Sequence, residues 1–382
     1  MKSILYISYD SILDPISKSQ VIPLLVKYSA ENKVYLISVE KNLEEANKYK
    51  QKFKNQIEFN FLKFKKNKLL KLFYIFIYQF IIFKFILYNK IDIIHVRSYL
   101  PISLIIFPKL FKNFKIIFDI RGFWFDEKYE AKLISKNTFN FLKLFEKFFF
   151  KSANIIITLS SVSKNIINKK FNIKENKIYV IPTFTDFNKF RNTNKITKKN
   201  FMIFGYIGNL KMNYEFDKVI KFLNIFNKIN KNWILKIATN YSKNDFLLLG
   251  RKISFDKKKI LLKNIKFEDM YKFYNKIDTC IYFLNNKFSK KASCPTKLGE
   301  LIATNTPIIT NPGIGDINNI YKKLKLRNFL VKNINYFELK KINNDLILIK
   351  KNRIKYNSRL KLKSLFDINR NIEKYLKIIK SL

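Results

Sequence analysis

The chain has 382 residues, which is too long for one ordinary hydrophobic core and predicts two domains of roughly 150 to 200 residues each. Hydrophobic residues make up 48% of the sequence, and with only 7 Gly and 8 Pro the composition excludes a disordered or fibrous chain. The net charge of +47 suggests an anionic partner (nucleic acid, a membrane surface or a phosphorylated substrate), but Lys, Asn, Ile, Phe and Tyr all have A/T-rich codons, and we attribute most of the excess charge to codon bias.

The residue counts give little support to metal or disulfide chemistry. The chain has one His and two Cys, Cys280 and Cys294, without metal-type spacing. We therefore expect no metal site and a reducing, cytoplasmic environment. The first ten residues, MKSILYISYD, hold a short apolar run that meets Asp10, which is typical of a first β-strand and too short for a signal peptide.

Short apolar segments alternate with helical segments along the first half of the chain. This alternation is typical of βαβ units and predicts a parallel sheet that is buried on both faces. The predicted strands are 3–8, 34–39, 57–62, 91–96, 115–120, 154–159 and 178–181. The predicted helices are 18–31, 43–54, 69–89, 99–112, 137–151 and 161–170.

Residues 69–88, LLKLFYIFIYQFIIFKFILY, form the most apolar stretch. Lys71, Gln79 and Lys84 interrupt it, and such residues are costly inside a bilayer. We predict a buried helix beside the sheet. The alternative is a helix that lies on an anionic membrane with its Lys near lipid phosphates, and a spanning helix ranks third.

A polar segment over residues 183–200 predicts a linker, after which the alternation restarts. Predicted strands are 201–207, 234–239, 260–262, 279–283 and 307–310, and predicted helices are 214–230, 243–250, 268–275 and 296–304. The expected fold class is α/β, with two Rossmann-like doubly wound domains over 1–188 and 201–355 and one long basic helix within 356–382 that crosses back to the first domain. Ligands of parallel sheets bind beyond the carboxyl ends of the strands, so we expect a site in a cleft between the two sheets.

Three polar segments follow strands of the first domain. In SYDSILDPISKSQVIPLL, Ser17, Lys18 and Ser19 open a helix whose free N–H groups favour an anion, although an ordinary capped loop is the simpler interpretation. In HVRSY, Arg97 is a candidate anion binder, and the lone His95 is more typical of a structural group. In the third segment, FDIRGFWFDEKYE, Arg121 is a candidate for holding a phosphate and Trp124 for stacking on a sugar or base. Asp119, or the pair Asp126 and Glu127, is a candidate for accepting a proton from a hydroxyl; the alternative is a structural Arg–carboxylate pair.

Two segments of the second domain have the same character. In FGYIGNLKMNYE, Gly208 and Lys211 are placed to hold a diphosphate, or to form a plain turn with a solvated lysine. In SKKASCPTKLGELIATNTPIITNPGIGD, a helix begins near Thr296, and Lys297 and Glu300 share one face of it. Lys297 suits phosphate and Glu300 suits the hydroxyls of a ribose; the alternative is a surface Lys–Glu pair of modest worth.

Taken in this order, the motifs DSILDPISKSQVIP, Arg97-Ser98-Tyr99, FDIRGFWFDE, VIPTFTDFNKF, GYIG and PTKLGE resemble a bacterial branch of the family 4 glycosyltransferases of the GT-B fold. The resemblance runs from about Ile4 to about Tyr375. It implies a retaining, metal-independent transfer of a sugar from a nucleotide-diphosphate sugar to an acceptor hydroxyl, with no cofactor. It also implies ribose binding by Glu300, donor phosphates near Lys297, and a diphosphate above Ser17 to Ser19.

The chain departs from the family pattern at several positions. The first Glu of the usual pair falls at Ala292, so Lys290, Ser293 or Thr296 would replace its donor contact. The usual diphosphate-binding Arg and Lys fall at Asn209 and Tyr214, and Arg121 replaces a His after the fifth strand. We therefore expect the leaving phosphate to take the acceptor proton, and Arg121 to stabilise the charge on that phosphate.

The expected acceptor is a glycan or lipid-linked molecule of the cell envelope, at the cytoplasmic face of the inner membrane and with peripheral contact to anionic lipid. Nucleic acid is not an expected partner, because the lysines are spread over the whole chain. The alternatives are a GT-B sugar-nucleotide epimerase, for which the chain is poor in acids and His, and a catalytically inactive glycosyltransferase-like partner protein.

Overall fold

In a computed structural model, the chain is described over residues 1–64, 68–191, 201–210, 214–242, 244, 246, 256–351 and 356–382. It divides into two compact units. Unit 1 comprises Met1–Thr183 together with Asn369–Leu382, and unit 2 comprises Phe184–Ile368. Of the residues predicted to form a linker, Phe187 and Phe190 are buried in the core of unit 2, so this part of the segment is folded.

Unit 1 is built on a parallel sheet of seven strands in the order β3-β2-β1-β4-β5-β6-β7. The strands are β1 Ser3–Ser8, β2 Lys33–Glu40, β3 Glu58–Lys63, β4 Ile93–Arg97, β5 Lys115–Asp119, β6 Ile155–Thr158 and β7 Ile178–Val180. The helices are α1 Ile22–Tyr28, α2 Leu43–Lys50, α3 Lys68–Tyr88, α4 Tyr99–Ile105, α5 Trp124–Glu130, α6 Lys136–Ser152 and α7 Ser161–Phe171. A π-helical turn, Ser17–Val21, leads into α1.

Unit 2 contains a parallel sheet of five strands in the order β10-β9-β8-β11-β12. The strands are β8 Met202–Ile207, β9 Trp233–Ala238, β10 Ile260–Lys263, β11 Thr279–Ile281 and β12 Ile308–Ile309. The described helices are α8 Phe216–Phe226, α9 Met270–Tyr274, α10 Thr296–Ala303, α11 Ile317–Leu324, α12 Tyr336–Lys350 and α13 Ser358–Phe366. The predicted helix over 243–250 lies almost wholly outside the described residues.

The single long tail helix that we expected is two helices, α13 and α14 (Ile368–Ser381), with extended backbone at Asp367 between them. The break coincides with a contact to a distant segment, because Thr185 forms a parallel bridge to Asp367. The Thr185 N–H donates to the Phe366 carbonyl at 2.8 Å, and the Ile368 N–H donates to the Thr185 carbonyl at 3.0 Å. From Asn369 onward α14 belongs to unit 1, where Lys2 Nζ donates to the Ile379 carbonyl at 2.7 Å.

Helix α3, which covers the most apolar stretch, is only partly buried. Tyr78, Ile82 and Ile86 face the core, whereas Phe76 and Phe80 are about two-thirds exposed. Within the part of the chain that the structure describes, none of the helices has the length and apolar character that crossing a membrane requires.

A close contact in unit 2 provides a test of core packing. A Cβ atom on Gly205, in the middle of β8, would lie 2.4 Å from Cδ1 and 3.1 Å from Cγ2 of the buried Ile277. We expect Gly205→Ala to lower the free energy of unfolding of unit 2 by about 1–3 kcal/mol, because the site has no room for a methyl group. Chemical denaturation followed by the fluorescence of Trp233, in a chain with Trp124 replaced by Phe, measures this loss. In an Ile277→Val background, which lacks Cδ1, the same change should cost less; an equal cost in both backgrounds would contradict the contact.

Candidate active site

The carboxyl ends of three neighbouring strands bring the polar residues of unit 1 together. The register pairs Ser8 of β1 with Arg97 of β4, and Arg97 with Asp119 of β5. Segments that the sequence places far apart therefore end side by side at one edge of the sheet. This is the edge at which parallel sheets bind ligands.

Asp119 is the centre of this cluster and is 1% exposed. Arg121 Nη1 donates to its Oδ2 at 3.3 Å, Arg97 Nη1 lies 4.0 Å from the same oxygen, and the Tyr375 hydroxyl donates to it at 3.3 Å. Burial by itself would raise the pKa of the Asp119 carboxyl, but Arg121, His95 and Arg97 together hold that pKa below its usual value. Asp119 therefore remains charged at neutral pH and anchors both arginines.

Arg97 is a buried cation with two carboxylate neighbours. Its Nε donates to Asp10 Oδ2 at 3.0 Å, and its side chain is 6% exposed, against 47% for Asp10. Burial would lower the pKa of Arg97, but Tyr6, Asp10 and Asp119 raise it, so the guanidinium keeps its charge. Arg97 thus lies at the end of its strand, as predicted, and forms an ion pair with Asp119.

His95 is fully buried inside this network, as its structural interpretation requires. The Tyr28 hydroxyl lies 3.3 Å from Nδ1, and the ring stacks on Tyr375 with centroids 5.8 Å apart. Burial lowers the pKa of His95 by more than the neighbouring Asp119 raises it, and the two arginines add to the lowering, so the imidazole is neutral at pH 7.

The backbone at Arg121 is in the left-handed region, with φ +54°. A non-glycine residue in this region carries a cost, and such residues are concentrated at binding and catalytic sites. The next residue, Gly122, has φ +154°. The strained turn directs Arg121 back over Asp119, and the arginine side chain stays 11% exposed at the end of the sheet.

The following residues form α5, a short helix in a segment where we expected only a loop. Trp124 is 38% exposed and stacks on Tyr99 with ring centroids 6.5 Å apart. Asp126 is 6% exposed and accepts a 2.8 Å bond from Lys143, an arrangement that favours a structural role for this carboxylate. Glu127 is half-buried in the same helix.

The segment after β1 contains a buried hydroxyl in an unusual backbone. Ser17 is 1% exposed, and none of the described residues hydrogen-bonds to its Oγ. It opens the π-helical turn Ser17–Val21, a rare conformation that is frequent at functional sites. Ser19 Oγ donates to the Ile16 carbonyl at 3.2 Å, and Lys18 Nζ lies 5.5 Å from the centre of the Tyr49 ring. Ser17 is therefore the member of the predicted trio with unused hydrogen-bonding capacity.

In unit 2, Lys297 is a buried cation at the carboxyl end of β8. It is 5% exposed, its Nζ donates to the Ile207 carbonyl, and it lies 4.0 Å from the centre of the Tyr214 ring and 4.7 Å from that of Tyr282. A Cβ on Gly208, where φ is +117°, would come within 3.1 Å of this Nζ. The glycine thus lets the lysine approach the backbone; Lys211, predicted to act with it, lies outside the described residues.

Glu300 lies one turn further along α10 and is 8% exposed. The buried Tyr274 hydroxyl donates to Oε2. Burial raises the pKa of the Glu300 carboxyl, and the bond from Tyr274 and the charge of Lys297 only partly oppose that rise. The surface Lys–Glu pair considered as an alternative is wrong, because both side chains are buried.

The start of α10 has no side-chain cap. Thr296 is half-buried at its first position, and Pro295 before it supplies no side-chain cap. Ala292, at the position of the expected second carboxylate, is fully buried in the 3-10 turn Phe288–Ala292, which also buries Lys290.

Two tyrosines of these clusters were not predicted from the sequence. Tyr375 lies 256 positions from Asp119, and Tyr274 lies 26 positions from Glu300. Nothing in the residues around either tyrosine marks it as a partner of a distant carboxylate. No group of three or more His, Cys, Asp and Glu side chains in the described ranges is arranged to hold a metal ion.

Comparison with known proteins gives one partial family match. Residues 25–189 match the model of Glycosyltransferase Family 4, which covers less than half of the chain. The comparison with curated proteins found no match.

Solved structures match over the whole chain. A glycosyltransferase from Rickettsia africae ESF-5 is similar with a TM-score of 0.73 and 17% identity, covering 100% of this chain and 98% of its own. Sucrose-phosphate synthase from Thermosynechococcus elongatus has a TM-score of 0.74 and 13% identity, and the match covers 100% of this chain and 99% of its own. The Anabaena protein HepE in complex with UDP-glucose gives 0.74 and 11%, with 100% of both chains covered. A Listeria monocytogenes structure described as a putative UDP-N-acetylglucosamine 2-epimerase is less similar, at 0.62. These likenesses confirm the predicted fold of two parallel-sheet α/β domains of the GT-B kind.

The charge balance at Asp119 can be tested by removing its charge. Asp119→Asn leaves Arg97 and Arg121 without their shared buried carboxylate, so we expect the free energy of unfolding of unit 1 to fall by about 3–5 kcal/mol at pH 7. Because the folded-state pKa is depressed, the wild-type advantage is present above the ordinary Asp value of 3.8 and is lost as the pH falls through the folded value. The half-exposed Asp10 is the matched control: Asp10→Asn should cost less than about 1 kcal/mol. Equal losses in the two variants would contradict the central position of Asp119.

Glu300 should behave in the opposite sense. Its raised pKa means that folded unit 2 holds the proton more tightly than the unfolded chain, so its stabilising contribution is complete below the ordinary value of 4.5 and is lost as the pH rises. Glu300→Gln, which is neutral at every pH, should therefore be more stable than wild type at pH 7, with a difference that shrinks towards pH 4.5. Thermal unfolding across this pH range measures the effect. In a Tyr274→Phe background, which removes the bond that lowers the pKa of Glu300, the gain should be larger; a variant less stable than wild type at pH 7 would refute the argument.

Proposed function

We propose that this chain is a glycosyltransferase that transfers a hexosyl group from a nucleotide-diphosphate sugar to an acceptor hydroxyl. The match of residues 25–189 to a glycosyltransferase family and the likeness of the fold to HepE in its UDP-glucose complex support the reaction class. The observation that carries the proposal is Lys297, a cation buried at the end of β8 beside a glycine that lets backbone and ammonium approach. A buried cation beside backbone groups of this kind is suited to binding a phosphate.

Unit 2 is proposed to bind the nucleotide. Lys297 neutralises the diphosphate, with Gly208 and the N–H groups at Thr296 beside it, and Lys211 adds a second cation from the segment that the family resemblance marks. Glu300 accepts bonds from the two hydroxyls of the ribose. Its raised pKa fits this role, because two hydroxyl donors would stabilise the charged carboxylate that burial disfavours.

Unit 1 is proposed to supply the reacting side. Ser17 contributes its unused hydroxyl, and Ser19 and Lys18 extend the same anion-binding turn. Arg121, strained at φ +54° over Asp119, stabilises the charge that develops on the leaving phosphate. Asp119 acts through Arg121 as a positioning residue; this revises our expectation of a direct catalytic role, because Arg97, Arg121 and Tyr375 already surround its carboxylate.

The proposed chemistry is a front-face displacement that retains the anomeric configuration and needs no metal. The bond between the anomeric carbon and the diphosphate oxygen breaks, the acceptor oxygen forms a bond to the same face of that carbon, and the acceptor proton passes to the departing phosphate oxygen. No protein base is required, which suits a cluster whose imidazole is fully buried and whose carboxylate already accepts bonds from Arg121 and Tyr375. Trp124, with Arg97 and Glu127, is proposed to face the acceptor sugar.

The acceptor is proposed to be a glycan or a lipid-linked molecule used in building the cell envelope, handled at the cytoplasmic face of the inner membrane. An epimerase is the weaker alternative, because the structure described as an epimerase has a TM-score of 0.62, against 0.73 for the Rickettsia glycosyltransferase. An inactive partner protein is the other alternative, and its basis is Ala292 at the position of the second carboxylate.

The test is a screen of UDP-, GDP- and dTDP-sugars by thermal shift and by mass spectrometry of released nucleotide. We expect one donor class to stabilise the protein and to be consumed. Lys297→Met and Glu300→Gln should raise the donor KM, and Arg121→Gln should lower kcat by about a hundredfold to a thousandfold, because it removes charge stabilisation in the transition state.

The matched control is Lys350→Met. This lysine is also largely buried in unit 2, but it pairs with Asp278 at 2.8 Å, so its loss should affect stability and leave the donor KM unchanged. Transfer that survives both Glu300→Gln and Arg121→Gln would show that the site is wrongly assigned. A thermal shift without any sugar transfer would favour the inactive partner, and no shift with any donor would remove the enzyme proposal.

A further inference from the structure

The helices on one face of the unit 1 sheet carry large apolar side chains on their outward sides. On α3, Phe73, Phe76 and Phe80 are 62%, 71% and 67% exposed, and they follow one another at helical spacing along one stripe. A surface helix of a soluble domain normally has polar residues there. Here the stripe opposite the buried Ile82 and Ile86 is aromatic.

Helix α6 repeats the pattern. Phe141, Leu144 and Phe148 are 59%, 70% and 51% exposed and lie at positions i, i+3 and i+7 of one stripe. Its opposite side holds Phe149, Phe150 and the fully buried Glu146. Helix α6 therefore has apolar side chains on the side that packs against the core and also a row of them on the exposed side.

The topology of the sheet places these stripes side by side. The crossovers β3-α3-β4, β4-α4-β5 and β5-α6-β6 all advance in the same direction along the strand order, and the right-handed rule puts their helices on one face. Helices α1 and α2 follow crossovers in the other direction and cover the opposite face. The short, buried α4 lies between α3 and α6 and contacts both.

The segment after α4 joins the two stripes. Phe107 and Phe111 pack against Phe83 of α3 with ring centroids 5.3 and 5.5 Å apart, and both remain about half exposed. Leu110 between them is 76% exposed. The outward sides of α3, residues 107–111 and α6 therefore form one surface, which we call the aromatic face. Apolar patches of this extent mark interaction sites.

The charged residues around the aromatic face indicate what kind of partner it binds. Exposed lysines border each element, at Lys84, Lys112 and Lys147. Between residues 68 and 118 the sequence contains one acid, Asp92, which accepts a bond from the Ser3 N–H at 2.7 Å, and the one acid of α6 is the buried Glu146. Phe and Leu flanked by lysines, with no exposed acid on these elements, match the interface of an anionic bilayer, where apolar side chains enter the acyl boundary and lysines meet headgroup phosphates.

We infer that the aromatic face docks unit 1 on an anionic lipid bilayer, with α6 and residues 107–111 contributing alongside α3. This inference extends the expected peripheral contact from one helix to a surface of three elements. It does not depend on sugar transfer, because docking is measured without substrate.

The experiment is flotation of the full chain with vesicles of phosphatidylcholine alone and of phosphatidylcholine containing phosphatidylglycerol. We expect binding to the anionic vesicles that weakens as salt is raised, because the lysine contacts are screened. Replacing Phe141, Leu144 and Phe148 together by Gln should lower the partition coefficient by at least about tenfold. Lys84→Gln with Lys147→Gln should lower it by about tenfold or more on anionic vesicles only.

Matched controls come from unit 2, where Phe337 and Leu360 are 77% and 76% exposed and Lys340 and Lys341 are exposed on α12. Changing these pairs to Gln should leave flotation unchanged. The inference is overturned if wild type does not float with anionic vesicles or if the controls lose as much as the α6 variants. It is also overturned if light scattering shows a dimer that the α6 triple variant splits while flotation is unaffected, which would assign the face to a second copy of the chain.

Discussion

A buried carboxylate, Asp119, organises the carboxyl end of the sheet in unit 1. Removing the Asp119 charge from water costs several kcal/mol, and only close, well-placed donors offset that cost. Hydrogen bonds come from the turn after β5 (Arg121) and from the last helix of the chain (Tyr375), and β4 adds the charge of Arg97 at 4.0 Å. The register of the sheet, the left-handed backbone at Arg121 and the return of α14 to unit 1 are thus coupled, because each one places a partner of the same oxygen atom.

Unit 2 instead buries a cation, Lys297, and stabilises it by different contacts. Lys297 uses a backbone carbonyl and the faces of Tyr214 and Tyr282, which lower the cost of burial without neutralising the charge. Glu300, one helical turn away, is directed to Tyr274 instead. The lysine therefore keeps electrostatic capacity for an anion, and the carboxylate keeps capacity for hydroxyl donors. A lysine and a glutamate that simply neutralised each other would offer neither.

Much of this arrangement follows from sequence pattern. The predicted strands of both units lie within about two residues of the observed ones, because strands buried on both faces are unbroken runs of Ile, Phe and Val between polar turns. Asp119, Arg121 and Lys297 were candidates because they follow such runs or begin a helix. The burial of Lys297 and Glu300 was not predictable in the same way. Their i, i+3 spacing is equally compatible with an exposed ion pair. They are buried because aromatic residues from other segments pack around them.

The remaining misses are contacts between distant segments. The α13–α14 break at Asp367 is imposed by Thr185, which is 182 positions earlier, and Tyr375 reaches Asp119 across most of the chain. No local propensity encodes either. Helix α5 was missed because its aromatic and acidic residues read as a loop motif, although the stacking of Trp124 on Tyr99 and the Asp126–Lys143 pair hold it as a helix.

Codon bias explains why the chain is rich in Phe and Lys, but it does not explain where they lie. Folding sorts residues by environment, so bias alone would fill the cores with Phe and the surface with Lys. That sorting holds around β8, where Phe204, Phe222 and Phe226 pack in the core of unit 2. On α3 and α6 the sorting fails for the apolar residues. The lysines are exposed as expected, but rows of Phe and Leu are exposed as well, and these rows lie on the same face of the sheet. A compositional bias also places single apolar side chains outside, as at Phe337 and Leu360 of unit 2, whereas three of them in a row on each of two helices on the same face point to an environment that those helices share.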